Sequence, residues 1–137
     1  AGKLTDDEYD QMKNHPLLGA KILGGIRQLD DIIPGILSHH ERLDGKGYPN
    51  GFTRDQLSMD SLIVGLADAF DAMTSDRVYR KALPIDVVRE EIERNSGIQF
   101  EPSLVKEFLS WDVEGLLVEL NEPAETVISC DDQGSLN

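Results

Sequence analysis

The residues best equipped for chemistry lie in one stretch, His39-His40-Glu41-Arg42-Leu43-Asp44-Gly45-Lys46-Gly47-Tyr48-Pro49. It holds two of the chain's three histidines side by side, then an acid and a loop broken by two glycines. Imidazole is a favoured metal ligand, and adjacent side chains on a helix diverge by roughly 100°. The pattern therefore predicts that His39 and His40 reach two neighbouring ions lodged between helices rather than sharing one. Glycine frees the loop backbone, and the Tyr48-Pro49 pair stiffens its exit. A solvated helix end before a turn is the competing reading of the same residues.

Two carboxylates bear on the choice. Asp68 and Asp71 fall inside the most apolar run, Leu62 to Met73, and a carboxylate on a buried helix is costly unless paired or bound to metal. Asp68, between Ala67 and Ala69, is the better ligand candidate, and Asp71 suits a group that orients an imidazole. Pairing to Arg77 or Arg80 accounts for either acid equally well. Those two arginines are three apart, so on a helical turn they share a face and could clamp phosphate; surface ion pairing in an acidic protein is the alternative. His15, before Pro16, reads alone as a structural residue at a helix bend, and gains weight only beside the other two histidines.

Several helices must position these groups. Thr5 and Glu8 have capping-box spacing, and Tyr9, Met12, Leu17, Leu18, Ile22 and Leu23 follow at helical intervals until Gly24-Gly25. Pro16 disfavours helical geometry at His15 without forbidding a kinked continuation. A second helix is predicted from Asp30 or Asp31 to Arg42, burying Ile32, Ile33, Ile36 and Leu37, with Pro34 in its first turn. Thr53 to Gln56 is another capping box. The central helix runs from about Asp60 to Ser75, apolar on nearly every side. Pro84 and Pro102 open two more, to about Asn95 and Trp111. The first buries Val87, Val88 and Ile92, with Gly97 as its stop, and the second Leu104, Val105, Phe108 and Leu109. Beyond Val113 the pattern weakens: Leu116 to Leu120 reads as a short helix or strand, and Glu122 onward as a flexible acidic tail.

The 137 residues suit one domain, all-α, assigned to 1–111 with an acidic extension over 112–137. The net charge of −13 argues against nonspecific nucleic-acid or anionic-membrane binding, and seven of the acids fall after Trp111, where there is no Lys or Arg. No apolar run approaches a membrane span and no charged-then-apolar leader opens the sequence. The lone Cys130 allows no internal disulfide and sits in a polar context unlike that of a catalytic thiol. Together these features lead us to expect a cytoplasmic domain.

Taken together, His15, His39-His40-Glu41, Asp44-Gly45-Lys46-Gly47-Tyr48-Pro49 and Ala67-Asp68-Ala69-Phe70-Asp71-Ala72 through Arg77 resemble the HD-GYP family. These are helical, metal-dependent phosphodiesterases of the HD superfamily that hydrolyse the bacterial second messenger cyclic di-GMP. The resemblance covers about Gly2 to Leu109. It implies an HD-superfamily helical bundle in which His15, His39, His40 and Asp68 ligate divalent ions in a bi- or trinuclear centre, with Fe or Mn favoured and Zn an alternative. It further implies that Arg77 and Arg80 hold substrate phosphates, and that Gly47 and Tyr48 shape the site mouth or contact a signalling-protein partner. Family members carry a His-Asp pair upstream of this region, and this chain has no His-Asp dipeptide. The chain is thus expected to be the C-terminal portion of such a domain, inactive alone and prone to self-association or domain exchange through exposed apolar faces. A catalytically incomplete binding module and a different HD-superfamily phosphohydrolase are the other readings.

Overall fold

The computed structural model describes residues 5–76 and 80–115. The described elements are helical: α1 (Asp6–Met12), α2 (His15–Leu23), α3 (Ile33–Ser38), α4 (Met59–Thr74), α5 (Ile85–Arg94) and α6 (Pro102–Ser110). Short 3-10 turns occupy Arg27–Leu29 and Arg54–Gln56. Among the described residues there is no strand, only isolated bridges between Asp44 and Thr53 and between Ser96 and Phe100.

Local chemistry sets most boundaries. The Thr5 backbone N–H donates to the Glu8 carboxylate at 2.8 Å and the Glu8 N–H to Thr5 Oγ1 at 3.3 Å, closing the predicted capping box. The chain breaks at Lys13-Asn14 and restarts at His15, so Pro16 falls in the first turn of α2, where its missing N–H costs little. The kink allowed for in a single long helix is thus a full break. Thr53 and Gln56 form the second predicted capping box. Ser58 caps α4, its Oγ accepting from the Ser61 N–H. Past α5 the chain reverses at Gly97, whose φ of +75° suits glycine.

The predicted second helix is shorter than its spacing indicates. Its first residues, Asp30 to Ile32, form a turn that follows the 3-10 segment, α3 begins only at Ile33, and His39 is its C-cap. Ile32 is 48 % exposed, and Gly35 is the buried residue of α3, so the expected stripe is not a core. On α2, Ile22 is 76 % exposed and only Pro16 and Ala20 are buried. The core lies elsewhere: Leu66, Val88, Ile92, Phe100, Val105, Phe108 and Val113 pack together, with Phe70, Leu104 and Leu109 partly buried against them. Val87, expected inside, faces out, because α5 turns its Val88–Ile92 edge (i, i+4) to the core. The core also takes in Val113, two residues into the segment assigned to the acidic extension. Arg89 donates to the carbonyls of Leu109 and Trp111, satisfying acceptors left over at the end of α6. The expectations for Leu116 to Leu120, Cys130 and the acidic tail lie outside the described residues.

Candidate metal centre

His15 is the first residue of α2 and His39 the C-cap of α3. At each, the ring nitrogen Nδ1 meets the backbone carbonyl three residues earlier: His15 with Met12 O at 2.8 Å, His39 with Ile36 O at 2.6 Å. A carbonyl only accepts, so both rings carry their proton on Nδ1 and present the lone pair of Nε2. His40 Nε2 lies 3.0 Å from His15 Nε2. Two nitrogens sharing one ion at roughly 2.0–2.1 Å each stand about 3 Å apart, so the spacing fits a common cation as well as a shared proton. His15, His39 and His40 each offer one ligand nitrogen within 4.8 Å of the others.

The His39 and His40 rings are 4.0 Å apart between centroids. A regular helix would splay them; the turn that follows Ser38 brings both toward His15, so the pair can serve one ion. Burial pushes the His40 imidazole down to about 4, helped by His39 and His15 and opposed by Asp68. It is therefore neutral near pH 7, the form that binds metal.

Asp68 approaches from α4, its Oδ2 3.8 Å from His40 Nδ1, with 45 % of its side chain exposed. The burial argument drawn from the apolar run therefore does not hold for it. The buried residues of α4 are Ser61, Leu62 and Leu66, while Ile63 and Val64 face outward. What brings Asp68 close is Gly65, one turn earlier on the same face. A Cβ at Gly65 would stand 2.6 Å from the His39 carbonyl oxygen, so only glycine lets α4 press against the end of α3. Asp68 flanks His40 from outside the three-imidazole cluster. Asp71 is exposed, and one of its oxygens accepts from Ser75 Oγ at 3.1 Å.

The loop closes the other side. Tyr48 stacks on His40 with centroids 4.7 Å apart and planes at 28°, and its N–H donates to the His40 carbonyl at 3.2 Å. A Cβ at Gly47 would stand 2.4 Å from Glu41 Cα, so the loop folds directly onto the backbone it left. Gly47 and Tyr48, with His39, His40, Asp68 and Gln99, line a cavity of about 470 Å³. Arg42 fixes the loop to the α5–α6 connection, gripping both Asp44 carboxylate oxygens at 3.0 Å and reaching Gln99 Oε1. That grip holds the Asp44 carboxyl below the usual carboxylate range.

The arginines expected to hold phosphate give a divided result. Arg77 lies outside the described residues, and Arg80 is exposed with one guanidinium nitrogen donating to the Ala72 carbonyl near the end of α4. Sequence reasoning missed Gly65, a lone glycine in an apolar helix that signals close backbone approach. It also left Glu41 without a role, although an acid directly before a glycine-rich loop is suited to receive that loop's N–H groups.

Fold and site together define an all-α domain in which imidazoles from two helix junctions converge beside a carboxylate from a third helix. The profile of the HD domain family matches residues 1–104, and the chain belongs to that family. This agrees with the resemblance drawn from the motifs. The chain is 41 % identical over 117 residues to a cyclic di-GMP phosphodiesterase of Thermotoga maritima, covering 82 % of this chain and 31 % of that protein. It is 38 % identical to the cyclic di-GMP phosphodiesterase response regulator RpfG of Xanthomonas campestris, over 79 % of this chain and 29 % of that one. Among solved structures, a cyclic GMP-AMP specific phosphodiesterase of Vibrio cholerae superposes with a TM-score of 0.60 at 26 % identity, covering 85 % of this chain and 25 % of its own. The chain thus spans about a third or less of the relatives it matches. Among the described residues no helix is long and apolar enough to cross a membrane.

Proposed function

We propose that this chain is the metal-binding portion of a bacterial cyclic-dinucleotide phosphodiesterase, with cyclic di-GMP as substrate and the linear dinucleotide, or GMP, as product. The observation that carries the reading is the convergence of His15, His39 and His40, two of them with Nε2 lone pairs fixed by backbone acceptors. In this proposal those three imidazoles and Asp68 hold the divalent ions, and neutral imidazoles with a carboxylate suit Fe, Mn or Zn. Bound ions would supply a hydroxide near neutral pH and neutralise phosphodiester charge.

The chain's own groups do the rest. Asp71, one turn along α4 from Asp68, is assigned an orienting role. Gly47 and Tyr48 wall the cavity on the His40 side, and Arg77 and Arg80 are assigned to phosphate positioning. The exposed face of the same loop is the proposed contact for a signalling partner. Three imidazoles and one carboxylate do not fill the coordination of two or three ions, so turnover is proposed for a longer protein that also carries a His-Asp pair. The lack of that dipeptide in these residues is what favours the second reading, a binding module without catalysis.

Mn- or Fe-loaded longer protein should hydrolyse cyclic di-GMP, assayed alongside 3',3'-cyclic GMP-AMP, and no turnover of either would leave the binding module ahead. Asp68→Ala should reduce metal stoichiometry and abolish turnover while the circular dichroism spectrum stays helical. Unchanged stoichiometry would remove Asp68 from the ligand set.

A further inference from the structure

Glu41 is only 6 % exposed, yet it follows directly on the two histidines and carries a carboxylate. Both oxygens face backbone donors across the loop: Oε1 accepts from the Asn50 N–H at 2.7 Å and Oε2 from the Phe52 N–H at 3.0 Å. A buried carboxylate is costly unless such charge-assisted bonds satisfy it. Here they close a ring of chain that leaves at Glu41, passes Gly47 and Tyr48, and returns at Asn50. Within that ring Gly47 rests on the Glu41 backbone, and Tyr48 lies flat on His40 while bonding its carbonyl. Because both oxygens are committed to loop amides, Glu41 does not join the cluster formed by the histidines.

We propose that Glu41 is a positioning residue: its carboxylate clamps the loop, so that Tyr48 holds the His40 ring with Nε2 aimed at His15. The inference rests on the reading of the imidazole cluster as a metal site, and concerns how one of its rings is kept in place. Position is transmitted in two steps, from carboxylate to loop backbone and from the Tyr48 ring to the imidazole.

The test uses this chain, with cobalt(II) alone as the probe and ¹⁵N-histidine spectra recorded with and without it. Glu41→Gln keeps the shape but turns an NH2 toward one of the two loop amides. Cobalt affinity should fall about tenfold, the scale of a lost orienting partner, with the metal-free His40 ring resonances displaced. In a Tyr48→Ala background the same substitution should cost nothing further, because the path runs through that ring. Additive effects of the two substitutions, or Glu41→Gln binding cobalt as the unaltered chain does, would overturn the proposal. Should Glu41→Gln fail to fold, amide exchange of the unaltered chain decides: the Asn50 and Phe52 amides should exchange far more slowly than that of exposed Gly51, and equal rates would overturn the clamp. If the unaltered chain takes up no cobalt, the metal reading fails on its own, while the metal-free spectra and amide exchange still judge Glu41.

Discussion

Val88 and Ile92 are fully enclosed, packed by Val105, Phe108 and Val113, and no histidine lies among them. Around His15, His39 and His40 the balance is reversed. There α2 and α3 bury only Pro16, Ala20 and Gly35, while Leu18 and Ile22 face outward. One end of the domain is ordered by apolar volume, the other by backbone hydrogen bonds and close approach at glycine. The lesson is that the three imidazoles are held by backbone acceptors and close approach at glycine rather than by an apolar core of their own.

The contrast can be broken most forcefully from the packed end. Ile92→Ala should destabilise the fold by about 2–5 kcal/mol, the usual cost of truncating an enclosed isoleucine, measured by urea denaturation. In the fraction that stays folded, cobalt affinity should hardly move; a matching loss would show that the two ends are not separable. Gly65→Ala attacks the junction between them. Its methyl group would meet the His39 carbonyl oxygen at 2.6 Å, so a cost of about 1–3 kcal/mol is expected, this time with weakened metal binding. Full affinity in that variant would show that α3 can slide without disturbing its histidine.

The smallest effect concerns pH. Burial holds the folded His40 pKa at about 4 against an ordinary 6.5. Between those values the unfolded chain binds the extra proton and the folded one does not, so stability rises with pH across that window and is lost on acidification toward 4. Thermal melts of the metal-free chain from pH 7 to 4 should show a steeper decline than melts of His40→Gln. Identical slopes would mean that water reaches the imidazole freely.

The helices themselves were legible because their signals are local. Thr5 with Glu8, Thr53 with Gln56, and the prolines at 34, 84 and 102 mark starts that the fold keeps to within a few residues, whereas Pro16, read as a kink, opens α2. Burial was less legible: Ile32, Val87 and Ile63 carry the right periodicity but stay exposed among the described residues, and a stripe becomes a core only where something packs on it. The histidines were recognisable as a set, whereas the argument for Asp68 from burial was not sound. Its approach to His40 depends on the helix crossing at Gly65, a tertiary fact that local spacing does not contain.

The pairing of His15 with the Met12 carbonyl and of His39 with the Ile36 carbonyl has a consequence for sequence drift. The orienting atoms belong to the main chain, which every amino acid supplies alike. Position 36 can therefore exchange one aliphatic residue for another over evolutionary time while the imidazole it steers keeps its tautomer, whereas the histidines themselves have no such latitude.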